Sequence, residues 1–129
     1  MNVLLIDDDH DLCAIVELTL SVLGGMTVTT ANSGSQGIEL AKQHAFDLIV
    51  LDVMMPGMDG KQTLLQLRKV DALRLVPVVF LTASVNKTEV EELCALSGHE
   101  VLTKPFEPED LIEAMQSIAS RPRKPRTAT

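Results

Sequence analysis

Apolar positions in this chain alternate between two spacings. Short unbroken runs, Val3-Leu-Leu-Ile6, Leu48-Ile-Val-Leu51 and Val76-Pro-Val-Val-Phe-Leu81, suit strands buried on both faces. Between them the period is helical. Leu12, Ile15, Val16, Leu20 and Leu23 form a stripe that stops at Gly24-Gly25, a helix stop signal. Met26-Thr-Val-Thr-Thr30 reads as a second strand. Ser33 is a predicted N-cap for a helix through about His44, with Ile38 and Ala41 inward. The third strand spans 47–52, and Pro56-Gly57 punctuates the loop after it. Asp59 caps a third helix carrying Leu64, Leu65 and Leu67, and 76–82 is the fourth strand. Asn86 or Thr88 starts a helix through Leu96, closed by Ser97-Gly98, and a short fifth strand covers 101–103. Pro108 suits the first turn of a last helix through about Ala119, whose buried stripe is Leu111, Ile112, Met115 and Ile118. Five strand–helix units predict an α/β fold: a doubly wound open parallel sheet with helices on both faces. Five are too few for an eight-stranded barrel.

The ends of the strands carry the chemistry. The first runs into Asp7-Asp8-Asp9, the third into Asp52, the fourth into Thr82, and Val101-Leu-Thr103 delivers Lys104-Pro105. In a parallel sheet all four endings share the C-terminal edge, where open α/β sheets bind ligands. Two carboxylates ~4 Å apart in a partly buried cleft repel by about 4 kcal/mol at an effective dielectric near 20. Asp7, Asp8 and Asp52 therefore invite a hard cation, and all-oxygen donors favour Mg²⁺ or Mn²⁺ over Zn²⁺. Asp9 and Asp11 read as acids favoured at a helix start. A lysine before proline, in a bond type that can be cis, or a threonine ending a strand is ordinary by itself. Beside the aspartates, the Lys104 ammonium can offset phosphoryl charge and the Thr82 hydroxyl can donate to a phosphoryl oxygen. The acceptor would be a carboxylate, forming an acyl phosphate.

Composition narrows the class. The 129 residues, 46% of them apolar, fit one domain with a real core and exclude a disordered polypeptide. No window approaches the roughly 18 apolar residues of a membrane span, and the N-terminus lacks the features of a secretory signal. Cys13 and Cys94 match no metal-ligand spacing and read as reduced core thiols of a cytoplasmic protein. Residues 1–120 hold all 18 acids but 7 of the 11 basic residues, a charge of -11 that disfavours nucleic acid as partner. The last nine residues, 121–129, carry +4 among prolines and read as a tail or the start of a linker to an effector domain.

Leu5-Ile-Asp-Asp8, Asp47-Leu-Ile-Val-Leu-Asp52-Val-Met-Met-Pro-Gly-Met-Asp-Gly60, Leu81-Thr-Ala83 and Leu102-Thr-Lys-Pro-Phe106 resemble the signature blocks of response regulator receiver domains, in order and spacing, over residues 1 to about 119. The resemblance implies the strand order 2-1-3-4-5. It implies Asp52 as phosphoacceptor, charged by a phosphohistidine of a sensor histidine kinase or phosphotransfer protein. Asp8, Asp52 and the Met54 backbone carbonyl would hold Mg²⁺, with Asp7 acting through a water. Thr82, Lys104 and the backbone N–H groups of Met54 and Ala83 would contact the phosphoryl oxygens, with Pro105 structural beside them. Met54 and Ser84 match positions that tune phosphoryl loss, and neither side chain activates a water, which predicts no fast timer.

The resemblance also implies an output face built from the fourth helix, fifth strand and fifth helix, which binds an effector domain, a downstream protein or a second copy. Nucleic acid would be reached only through an appended domain. At the position where the family has Tyr or Phe, three residues before the lysine, this chain has Val101, and the segment from Gly98 to Lys104 is one residue short. The aromatic swing that transmits phosphorylation elsewhere has no ring here, which leaves the loop after Thr82 and the helix near 87–97, or a partner, as the route. Two other readings stay open. A docking module could keep the fold and signal without phosphate. A dehalogenase-like phosphatase would need an Asp two residues after the nucleophile, and that position is Met54. Dinucleotide binding lacks its glycine motif after the first strand.

Overall fold

A computed structural model describes residues 1–83, 86–97 and 100–119 of the chain. The elements run β1 (Asn2–Ile6), α1 (His10–Val22), β2 (Thr27–Ala31), α2 (Gly34–Gln43), β3 (Leu48–Asp52), α3 (Gly60–Leu67), a 3-10 turn (Asp71–Leu73), β4 (Val78–Thr82), α4 (Lys87–Ser97), β5 (Glu100–Thr103) and α5 (Pro108–Ala119). The strands pair in the order β2-β1-β3-β4-β5, all parallel, as the alternation of elements and the resemblance imply.

Alternate residues of each central strand feed two separate cores. Leu4, Ile6, Ile49, Leu51, Val78 and Phe80 pack toward Ala41 of α2, Leu64 and Leu67 of α3, and Leu93 of α4. Val3, Leu5, Leu48, Val50, Val79 and Leu81 pack toward Cys13, Val16 and Leu20 of α1 and Leu111, Met115 and Ile118 of α5. This two-sided burial is why these strands read as unbroken apolar runs.

Side-chain caps set the helix starts. Asp9 accepts from the N–H groups of Asp11 and Leu12, and Ser33 from that of Gln36. Asp59 and Gln62 form a capping box, and Asn86 rather than Thr88 accepts at the head of α4, from Glu89 N–H.

The structure revises some details. The buried face of α1 is Cys13, Val16 and Leu20, whereas Ile15 and Leu23 are 55% and 65% exposed. Leu65 of α3 also faces outward. Met26 is buried but precedes its strand, which runs to Ala31. Asp47 precedes β3 and bonds to the chain start: its backbone N–H donates to Asn2 O, and its carboxylate accepts from Asn2 N–H, both at 2.7 Å. Pro77 has no N–H to give a ladder, so β4 opens after it. The 3-10 turn before it is tied by Arg68, whose Nη1 donates to the carbonyls of Leu73 and Val76 at 2.7 Å each. Glu100 joins β5 ahead of Val101. The expectations for Ser84, the Gly98 stop, the Cys94 side chain and the tail at 121–129 lie outside the described residues.

Candidate functional site

Parallel register carries Asp7, Asp52, Thr82 and Lys104 to one edge. The Asp7 N–H donates to Ala31 O at 3.0 Å, continuing the ladder one residue beyond β1. Its side chain is fully buried: Oδ1 accepts from Asp9 N–H at 2.9 Å, and Oδ2 from Lys104 Nζ at 2.8 Å. Asp52 closes β3, is 3% exposed, and has Oδ1 3.3 Å from the same Nζ. Met54 N–H donates to that oxygen at 3.4 Å, while the Met54 side chain points to solvent. Asp8 sits exposed at the rim, and carboxylate oxygens of Asp7, Asp8 and Asp52 all lie within 4.8 Å of one another. Thr82 ends β4 fully buried, and its carbonyl accepts from Lys104 N–H at 2.6 Å, which fixes where the lysine leaves β5. Ala83 follows Thr82, exposed, and the Lys104–Pro105 peptide is cis. Val101 lies apart from this cluster. It pairs with Phe80 across β4 and β5 and packs, half-buried, on the core that contains Phe80 and Leu93.

Burial and the neighbouring Asp7 charge push the Asp52 carboxyl up from 3.8 to about 6, against the opposing pull of Lys104 and the Met54 N–H. For Lys104, burial works against the charge, but hydrogen bonds and charges from Asp7 and Asp52 outweigh it and raise its pKa. The lysine is thus a fixed cation between two buried carboxylates. Burial, then the charges of Asp7 and Asp9, push the Cys13 thiol up to about 11.

Three residues at the site carry no chemical signature in the sequence. Cys13 and Asn32 both bond to the Asp7 carbonyl. Gly60 lies inside a signature block, but its reason is steric. A Cβ there would sit 2.5 Å from the Asp52 carbonyl oxygen and 2.7 Å from Val53 Cα. Gly60 N–H also donates to Val53 O at 2.9 Å, drawing the 53–59 loop closed beneath Asp52. Gly60→Ala should therefore lower stability by about 1–3 kcal/mol and shift the amide resonances of Asp52 and Val53. A chemical melt with matched NMR spectra checks this; an unperturbed loop would refute the steric account.

The donor set fits a small hard cation. Two oxygens each ~2.1 Å from one Mg²⁺ are at most about 4.2 Å apart, so small side-chain rotations would let Asp8 and Asp52 share an ion, with Asp7, both of whose oxygens are already bonded, reaching it through a water. The raised Asp52 carboxyl reflects burial first and the Asp7 charge second, and a cation bound in the cluster would oppose both.

The sequence matches the profile of the response regulator receiver domain over residues 3–116. The chain belongs to that family. It is 33% identical over 120 residues to the "Probable transcriptional regulator ycf29" of Porphyra purpurea, covering 93% of this chain and 57% of the relative. It is 36% identical over 124 residues to the "Transcriptional regulatory protein CpxR homolog" of Haemophilus influenzae, covering 96% and 52%. The chain thus spans about half the length of the curated relatives it matches. Among solved structures, the Vibrio cholerae chemotaxis protein CheY4 superposes with a TM-score of 0.84 at 31% identity, covering 91% of this chain and 97% of that one. Receiver domains are phosphorylation-controlled switches of two-component signalling rather than ordinary enzymes. Their family uses Mg²⁺ at an acidic pocket, and response regulators work with histidine kinases and effector domains. No helix among the described residues is long and apolar enough to cross a membrane.

Proposed function

We propose that Asp52 of this receiver domain accepts a phosphoryl group from a histidine kinase or phosphotransfer phosphohistidine, catalysing its own phosphorylation and later dephosphorylation. An Asp52 carboxylate oxygen bonds to phosphorus as the P–N bond to the donor imidazole breaks, and the imidazole nitrogen takes up a proton. The single observation that carries this reading is the Lys104 ammonium held within 3.3 Å of both Asp7 and Asp52 at the sheet edge. A cation so placed can follow negative charge from carboxylate to phosphoryl oxygen without reorganising. Thr82 and the N–H groups of Met54 and Ala83 supply further donors, and Asp8, Asp52 and the Met54 carbonyl would hold the Mg²⁺, with Asp7 acting through a water. Bound Mg²⁺ would neutralise charge that develops on the transferring group.

The domain is residues 1–120, and 121–129 is a basic tail or the start of a linker to an effector, a reading the greater length of the curated relatives supports. The α4-β5-α5 face meets that effector, a downstream protein or a second copy. Incubation with acetyl phosphate and Mg²⁺ should add one phosphoryl group per chain, detected by mass, on a peptide containing Asp52. Failure to label under conditions that label a control receiver would sink the reading and favour a docking module.

A further inference from the structure

The Asp7 carbonyl is held from two sides by side chains that are not in the acidic cluster. Cys13 Sγ, buried on α1, donates to it at 3.3 Å, and Asn32 Nδ2, just past β2, donates to it at 3.3 Å. The two donors also touch, with Asn32 Nδ2 3.9 Å from Cys13 Sγ. That carbonyl belongs to the peptide joining Asp7 to Asp8. The Asp7 end of this unit is fastened three further times: by N–H to Ala31 O, by Oδ1 to Asp9 N–H and by Oδ2 to Lys104. Asp8, by contrast, is exposed, so the direction of its carboxylate depends on the plane of the peptide that precedes it.

We propose that Asn32 and Cys13 are positioning residues that fix the Asp7–Asp8 peptide plane and so aim the Asp8 carboxylate into the cation site. This rests on the metal role given to Asp8 above. Supporting groups around metal ligands typically contribute 10–100-fold in affinity. A purely structural pair of hydrogen bonds would instead alter stability and leave the pre-aimed carboxylate where it was. Asn32 follows β2, at the opposite edge of the sheet from the β5 that delivers Lys104, and Cys13 comes from α1, so the Asp7–Asp8 peptide is held by elements other than the one that supplies the lysine.

The chain has no Trp or Tyr, so Mg²⁺ binding is best followed by NMR amide shifts or calorimetry on the full chain. Asn32→Ala should weaken Mg²⁺ about tenfold or more, with shifts concentrated at Asp8 and Asp9. Cys13→Ala should do the same, whereas Cys13→Ser, which keeps a donor, should stay within about threefold of wild type. Asn32 is only partly buried, so its variant keeps the test available should a Cys13 variant fail to fold. Variants that melt lower yet bind Mg²⁺ as the wild type does would overturn the proposal. A wild type that ignores Mg²⁺ would instead overturn the metal reading on which it rests.

Discussion

Asp52→Asn is expected to end labelling by acetyl phosphate and, in the absence of Mg²⁺, to make the protein more stable at pH 7.5. The loss follows from removing the only nucleophilic oxygen the reading allows. The gain follows from linkage. The folded carboxyl titrates near 6 against 3.8 for an ordinary Asp. Between those values the native state binds more protons than the unfolded chain, so stability falls as pH rises through the window and stays lower above it. Roughly two pKa units correspond to about 3 kcal/mol, and a neutral Asn avoids that cost. Thermal melts should show a gain on the order of 10 °C at pH 7.5, nearly gone at about pH 4. Added Mg²⁺ should stabilise the wild type and leave the variant nearly unmoved. An Asn variant that melts below wild type at pH 7.5 would contradict the burial argument, whatever its labelling.

Lys104→Met should have the opposite effect. It leaves Asp7, fully buried, and Asp52, 3% exposed, without the ammonium that bridges them at 2.8 and 3.3 Å. Breaking a buried pair from one side typically costs 3–5 kcal/mol because the remaining charge is uncompensated, so a loss of about 3 kcal/mol is expected at pH 7.5. Acid should relieve it, since protonating one carboxylate removes the repulsion. Mg²⁺ should relieve it too, through RT ln(1 + [Mg²⁺]/Kd). Melts at two pH values, with and without Mg²⁺, check both. A variant as stable as wild type in metal-free buffer would mean that the lysine is not the charge that holds the edge together.

Much of this was legible in the residues. Runs such as Val3–Ile6 and Leu48–Leu51 announce buried strands because the sheet is covered on both sides, and their acidic endings mark the edge. Asp59 and Ser33 announce helix starts because capping is local chemistry. What was not legible depends on distant partners. In α1 the apolar residues run around more of the helix than the core covers, so Ile15 and Leu23 look like core and are solvent-facing. Cys13 reads as filler and Asn32 as nothing, because their common partner is the carbonyl of Asp7, which α1 brings to Cys13 and β2 pairing with β1 brings to Asn32. The 3-10 turn at Asp71–Leu73 needs Arg68 reaching over it, which no periodicity reports.

The bond from Lys104 to Asp7 spans 97 positions of the chain, more than any other side-chain contact at the site. During synthesis the three carboxylates therefore leave the ribosome well before the ammonium that compensates them. Until β5 docks, mutual repulsion keeps that rim of the sheet electrostatically open, and non-local closure of this kind is slow. On the role proposed for Lys104, a chain cut short of the last strand would have the acidic cluster without the cation that compensates it.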